Sequence, residues 1–207
     1  MSAHQEMNEF ARWEARFATP DYAFGKEPNY FLKSCQQILP RHGQALAVAD
    51  GEGTACGLPN KASMSFRSIF RQRRKNKAWA LAAERGVKVT FVRADVHVWD
   101  YPQTAFDVVV EIFAQFSPPA RRAIKWRDMR RALKSGGVLI IQGYTPKQLE
   151  YATGGPKQIE NLYTRAMLEQ AFGDFRDVRA IEEEREMREG TSHAGMSAVI
   201  GLTAIKP

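Results

Sequence analysis

Apolar positions recur along this chain in two alternating patterns. "QALAVADGEG", "VKVTFVRAD", "AFDVVVEIFAQF", "VLIIQGY" and "SAVIGLTAIK" are short, apolar and partly β-branched, which predicts strands. The uninterrupted run in "FDVVVEI" suits a strand buried on both faces. Between the strands lie segments of helical composition. A loop, "PDYAFGKEPNYFL", leads into a helix through about Leu39, and "KAWALAAERG" ends at Gly86, placed as a C-cap. In "SPPARRAIKWRDMRRALKSGG", Ser117 is placed to cap, Pro118 suits the first turn and Gly136–Gly137 reads as the stop. A helix near "TRAMLEQAF" and a strand near "FRDVRAIEEEREM" complete the series. Strands alternating with helices predict an α/β, doubly wound, mostly parallel sheet, and the last two strands, joined by a loop, predict an antiparallel edge.

The pattern fails over Asp50–Trp79, "DGEGTACGLPNKASMSFRSIFRQRRKNKAW". Pro59 falls where a helix should be running, at a cost of about 3 kcal/mol unless it sits in a first turn. "SMSFRSIF" is strand-like, yet it places Arg67 where a sheet interior is expected, and an unpaired buried charge costs several kcal/mol.

Charge sharpens the anomaly. The 207 residues carry a formal net charge of +7, which ordinarily points to nucleic acid or an anionic surface. Between Thr54 and Lys77 stand Lys61, Arg67, Arg71, Arg73, Arg74, Lys75 and Lys77 with no acid. Setting those seven aside leaves as many basic residues as acidic ones, so the whole excess lies in the anomalous segment. At 44% hydrophobic, the chain has material for one α/β domain with a sizeable core. Cys35 and Cys56 have neither metal-ligand spacing nor a disulfide framework, which with the polar N-terminus predicts a cytoplasmic protein with no bound metal and no membrane span.

In doubly wound sheets a ligand sits beyond the carboxyl ends of the strands. Three strand ends carry chemistry. Asp50-Gly51-Glu52-Gly53 has glycines that let a ligand approach the backbone and an acid for an ammonium or hydroxyl, although a plain turn reads the same way. Asp95 can accept from an adenine amino group, with Val96 against the ring; its ordinary reading is a turn-former. Glu111 is a carboxylate at the end of a buried strand, or a charge that has simply reached solvent.

Together these strand ends resemble the class I S-adenosylmethionine-dependent methyltransferases. "WEARF", "YAFGKEPNYFL", "IFAQFSPPARR", "LKSGGVLIIQGYTPKQLEYATGGP", "ENLYT" and "EGTSHAGMSAVI" are similar to the small bacterial branch near the tellurite-resistance and thiopurine-type enzymes. The resemblance implies one methyltransferase domain over residues 1–207, with a Rossmann-like seven-stranded sheet and residues 1–40 as an N-terminal helical lid. It implies S-adenosyl-L-methionine as cofactor, with Asp50, Gly51 and Gly53 at its methionine end and Asp95 and Val96 at adenine. Glu111 would close the pocket, and Tyr22 and Gly25 would belong to the lid. Catalysis is then mainly positioning, and no base is assigned. Tyr144, Tyr151, Glu160, Tyr163 and His193 are acceptor-side candidates, each with a plain reading as a loop residue; for His193 the plain reading is the stronger. The acceptor is expected to be a small molecule, by family analogy a soft chalcogen or thiol anion, and the protein a monomer or homodimer.

That family pattern also expects a helix after the glycine loop and a second strand ending in a ribose-binding acid. Two causes fit their absence, a compensated reading-frame shift, which is the favoured one, and a genuinely divergent insertion. Read one base earlier, Gly53 through Asn76 admits "NGVWLAEQGIDVLSIDFSPAAQKK": an amphipathic helix, a Gly turn and an apolar strand with an acid at its tip. As printed, Ser68 and Ile69 occupy the place of that acid. The rival classes are a non-catalytic binding module of the same fold and a nucleic-acid binder acting through residues 61–77. A nicotinamide oxidoreductase fits less well, because "DGEG" does not complete G-x-G-x-x-G. The basic residues Arg121, Arg122, Lys125, Arg127, Arg130 and Arg131 read as a solvated helix face, with Trp126 in an apolar stripe beside Ile124 and Leu133.

Overall fold

The computed structural model describes residues 21–52, 64–70 and 76–207. Among the described residues, seven strands form one sheet: β1 (Gly43–Val48), β2 (Met64–Phe70), β3 (Lys88–Arg93), β4 (Phe106–Ile112), β5 (Leu133–Tyr144), β6 (Arg176–Glu189) and β7 (His193–Ile205). Their order is β3-β2-β1-β4-β5-β7-β6. The first five pair in parallel, and β7 is antiparallel to both β5 and β6.

The antiparallel strand is therefore not the edge, contrary to the sequence expectation. β7 is interior, and the edge strand β6 runs in the direction of the parallel set. The composition explains the exchange. Ala198–Leu202 of β7 are apolar or glycine and buried, so they need a neighbour on each side. β6 carries Glu182, Glu183, Glu184, Arg185 and Glu186, a charged run suited to an open edge.

Among the described residues five α-helices flank the sheet: α1 (Tyr30–Ser34), α2 (Asn76–Glu84), α3 (Pro119–Ala132), α4 (Gln148–Tyr151) and α5 (Arg165–Phe172). Side chains alternate along the strands into two cores. Leu46, Val48, Val109, Leu139, Ile141, Ile200 and Leu202 pack with Trp126 and Met129 of α3 and Leu168 and Phe172 of α5. Ala45, Ala47, Val108, Val110, Val138 and Ile140 pack with Phe31 and Leu32 of α1. Thr164 caps α5 through a bond from the Met167 amide, and Asn29 caps α1 through one from Leu32.

The breaks in sequence pattern at 53–63 and 71–75 lie outside the described residues. Met64–Phe70 between them pairs with both β1 and β3, so the ambiguous strand is present. Ser68 is buried there and donates its hydroxyl to the Asp50 carbonyl at 3.0 Å.

The helix before β5 differs in three respects. Pro118, not Ser117, is the N-cap residue, and no side chain caps the helix. Gly136 and Gly137 do not end it: α3 stops at Ala132 and both glycines lie in β5. Its basic face is not uniformly solvated, since Lys125 and Arg122 are buried while Ile124 is exposed.

Gly201 of β7 fixes how closely α1 approaches the sheet, because a Cβ there would lie 2.4 Å from the Phe31 ring. Gly201→Ala should lower stability by about 1–3 kcal/mol through overpacking. Urea unfolding of the two proteins checks this; equal midpoints would contradict it.

Candidate active site at the carboxyl edge of the sheet

Strands are added outward one way from β1 through β2 to β3 and the other way from β4 to β5, so the junction of the parallel pair β1 and β4 is the topological switch point, where a doubly wound sheet leaves a crevice. Val48 and Glu111 are register partners across it. Both strands leave through a left-handed residue, Ala49 (φ 61°) after β1 and Phe113 (φ 51°) after β4. Non-glycine residues in this region cost on the order of 1–3 kcal/mol and cluster at functional sites. The turn at Ala49 presents Asp50 and Gly51, both half-buried, over the crevice. Gly53 lies outside the described residues.

Glu111 does not face this crevice, against expectation. It is fully buried and forms an ion pair with Lys125, itself fully buried, at 3.1 Å. Trp126 Nε1 donates to the carboxylate at 3.2 Å, and Tyr163 OH donates at 2.5 Å. Lys125 also donates to the Ala114 carbonyl at 2.9 Å, tying the β4–α3 loop to the helix. Burial pulls the Lys125 ammonium below the usual lysine range, against the opposing pull of Glu111. Burial, then the Glu111 charge, pushes the Tyr163 phenol well up. Tyr163 is thus a core residue joined to Glu111 and not an exposed acceptor-side group.

Asp95 stands just past β3 with Val96 buried beside it, packed in the core with Val48 and Tyr101. Its Oδ1 accepts from the His97 amide at 3.0 Å and lies 2.8 Å from His97 Nδ1. His97 Nε2 lies 2.7 Å from Ser117 Oγ. The hydroxyl expected to cap α3 instead bonds His97 and ties the loop after β3 to the loop after β4.

The segment before α1 crosses the same edge as a strap, and Glu52 holds it. This carboxylate, 2% exposed, accepts from the Ala23 amide at 3.1 Å and the Phe24 amide at 3.0 Å, and pairs with Lys77 at 3.0 Å. Tyr22 OH donates to the Lys77 carbonyl at 2.9 Å. Gly25 (φ 73°) meets the tip of the β6–β7 hairpin, where a Cβ on Gly190 would lie 2.3 Å from Gly25 N. The Ser192 amide donates to the Ala23 carbonyl at 2.9 Å. Tyr22 and Gly25 are the residues expected in a lid; Glu52, which anchors them, stands in the glycine loop with no local signal of that role.

Beyond β5 the hairpin brings rings together. The His193 ring lies 4.5 Å from both Phe24 and Phe113 and 5.9 Å from Tyr144, while Phe113 and Tyr144 are 4.6 Å apart. His193 Nδ1 is 3.9 Å from Glu189, whose carboxylate accepts from the Tyr30 amide at 2.7 Å and from Asn29 Nδ2 at 3.0 Å. Asn29 also donates to buried Gln142 at 2.8 Å. Burial would raise the Glu189 carboxyl, but the nearby His193 ring and the bonds from Tyr30 and Asn29 outweigh it and hold the group below its usual range. The structure therefore brings the Tyr144 and His193 rings together; the Tyr163 amide donates to the Tyr144 carbonyl at 2.9 Å, but its hydroxyl is engaged by Glu111. Glu160 is exposed, with its carbonyl accepting from Arg122, and Tyr151 OH donates to Glu184 at the surface. Glu189, Asn29 and Gln142 carried no local sequence signal, because long-range pairing alone brings them together.

Among the described residues no cluster of His, Cys, Asp and Glu could hold a metal, and no helix is long and apolar enough to cross a membrane. A family model described as "Methyltransferase domain" matches residues 63–141, from just before β2 into β5. The chain is similar to a protein solved in work on "Conversion of a Disulfide Bond into a Thioacetal Group during Echinomycin Biosynthesis", with 15% identity, TM-score 0.71, and 95% of this chain and 93% of that one covered. It is also similar to the N-methyltransferase NodS from Bradyrhizobium japonicum WM9, with 10% identity, TM-score 0.65, and 86% and 94% covered. The chain has the methyltransferase fold. A third likeness, to the [4+2]-cyclase SpnF, has 17% identity, TM-score 0.66, and 98% and 94% covered. No curated protein matches at a significant level.

Lys125→Met should cost about 3–5 kcal/mol by stranding a buried carboxylate, and Glu111→Leu in the same chain should recover much of it. Chemical denaturation of both variants tests the pairing. Glu52→Gln removes charge-assisted bonds worth roughly 1.5–3 kcal/mol each, so the Ala23 and Phe24 amides should exchange with solvent at least about tenfold faster. Unchanged protection would rule out the anchoring role. Glu189 titrates lower folded than unfolded, where a glutamate sits at about 4.3. It therefore stabilises the protein above that pH, and its contribution disappears as pH falls through the lower folded value. Glu189→Gln should flatten this part of the acid-unfolding profile.

Proposed function

We propose that the protein is an S-adenosyl-L-methionine-dependent methyltransferase acting on a small-molecule acceptor. The observation that carries this reading is the switch point, where the ends of β1 and β4 turn away through Ala49 and Phe113 and leave Asp50 and Gly51 over a crevice. The residues fit the cofactor at two places. Asp50 and Gly51 would hold its methionine end, and Asp95, partly exposed, with buried Val96 would hold adenine. The strap through Tyr22 and Gly25 would cover it. When bound, the cofactor supplies a methyl group on a sulfonium, so the protein's task is to align the acceptor and exclude water. Glu111 contributes from behind, holding the end of β4 without touching the ligand. We further read residues 1–207 as one domain with residues 1–40 as its lid, in the branch near the tellurite-resistance and thiopurine-type enzymes, cytoplasmic, and monomeric or dimeric.

In this reading the segment 54–76 records a compensated frame shift that removed the ribose-binding acid from the tip of β2. Buried Ser68 stands where an acid was expected and bonds Asp50. The nucleotide sequence, read in all frames, decides the matter.

One observation favours a second reading, a non-catalytic binding module: the Asp95 carboxylate already accepts from His97. The nucleic-acid alternative is weakened at Lys77, whose ammonium pairs with Glu52. Calorimetric titration with S-adenosylhomocysteine separates the readings. We expect binding that Asp50→Ala weakens at least about tenfold, and affinity at least about tenfold below that of the Ser68→Asp variant. No binding by the unaltered protein would sink the methyltransferase assignment.

A further inference from the structure

The box formed by Phe24, Phe113, Tyr144 and His193 lies next to the crevice, and Phe113 belongs to both. Its backbone makes the left-handed exit from β4, and its ring packs on His193 and Tyr144. Four separate pieces of chain meet here: the strap, the end of β4, the end of β5 and the start of β7. The imidazole is neither sealed nor free, with 12% of its side chain open. Among the described residues its charged neighbour is Glu189, and the other ionisable group packed against it is the Tyr144 phenol.

The support behind Glu189 is more than a hairpin closure requires. The carboxylate accepts from the Tyr30 amide and from Asn29 Nδ2, and Asn29 is fixed by its bond to Gln142 and by capping α1. A carboxylate held ionised beside an imidazole stabilises the imidazolium that forms when the ring takes a proton.

We propose that His193 is the proton acceptor for a flat aromatic alcohol, a phenol, bound against these rings, and that Glu189 is the positioning carboxylate behind it. The inference rests on the methyl-transfer reading and deepens it. A thiolate or other soft anion would need no base, whereas a phenol arrives protonated at neutral pH. In the balanced step the phenol oxygen forms a bond to the methyl carbon as the carbon–sulfur bond breaks. The sulfonium becomes a neutral thioether, and the phenol proton passes to His193, where Glu189 balances the new charge. Stacking on Phe24 and Phe113 would select planar acceptors over aliphatic ones.

The test uses 4-nitrophenol, whose ionised form absorbs visible light, and the whole protein saturated with S-adenosylhomocysteine, so that no turnover is needed. At a pH where free 4-nitrophenol is mostly protonated, binding should raise the phenolate absorbance. His193→Phe keeps a ring in the box but cannot take a proton; it should give about tenfold less phenolate at the same pH, with unchanged affinity for S-adenosylhomocysteine. Glu189→Gln should give an intermediate signal. No phenolate signal in the unaltered protein, or an equal one in His193→Phe, overturns the proposal. Failure to bind S-adenosylhomocysteine at all would instead overturn the methyltransferase reading on which it rests.

Discussion

The buried pair Glu111–Lys125 constrains the end of β4, and much of the candidate site follows from it. Two charges removed from water are tolerable only with full hydrogen bonding. Trp126 and Tyr163 supply donors to the carboxylate, and the Ala114 carbonyl takes a bond from the ammonium. Because Lys125 and Trp126 lie on α3, Ala114 in the loop after β4 and Tyr163 beyond a short turn, the network fixes three segments relative to one strand end. Phe113, in its left-handed conformation, sits inside that frame.

A second constraint is close backbone approach. Gly25 and Gly190 touch where any side chain would force the strap from the hairpin. Gly143 similarly admits Gln115 and Tyr163, each within 2.6 Å of where a Cβ would stand. The carboxyl edge is therefore assembled from backbone contacts and buried polar bonds, and apolar burial is left mainly to the two faces of the sheet. This division suits a site that must hold polar groups in fixed positions beside a rigid scaffold.

Electrostatics at the edge are local. Glu52 is balanced by Lys77 and two backbone amides, Glu189 by neutral donors and His193, and Asp95 by His97 and its amide. Glu52, Glu189 and Asp95 are thus each held by a different set of partners. The basic excess of the chain, concentrated in residues 61–77, reaches this arrangement through Lys77.

The sequence alone determined the layering. Period-two and helical patterns located β1, β3, β4, β5, α3 and α5, because each must bury an apolar face whatever its neighbours. Asp50 and Asp95 were legible as strand-end acids for the same reason. Tertiary structure alone decided the rest. Whether Glu111 faces a ligand or the core depends on Lys125, Trp126 and Tyr163, which no local pattern couples to it. That β7 lies inside β6, that Glu52 anchors the strap, and that Asn29, Gln142 and Glu189 support His193 all depend on contacts between residues far apart in sequence. Local propensity carries no information about such contacts, since their energy exists only once the sheet has brought the partners together.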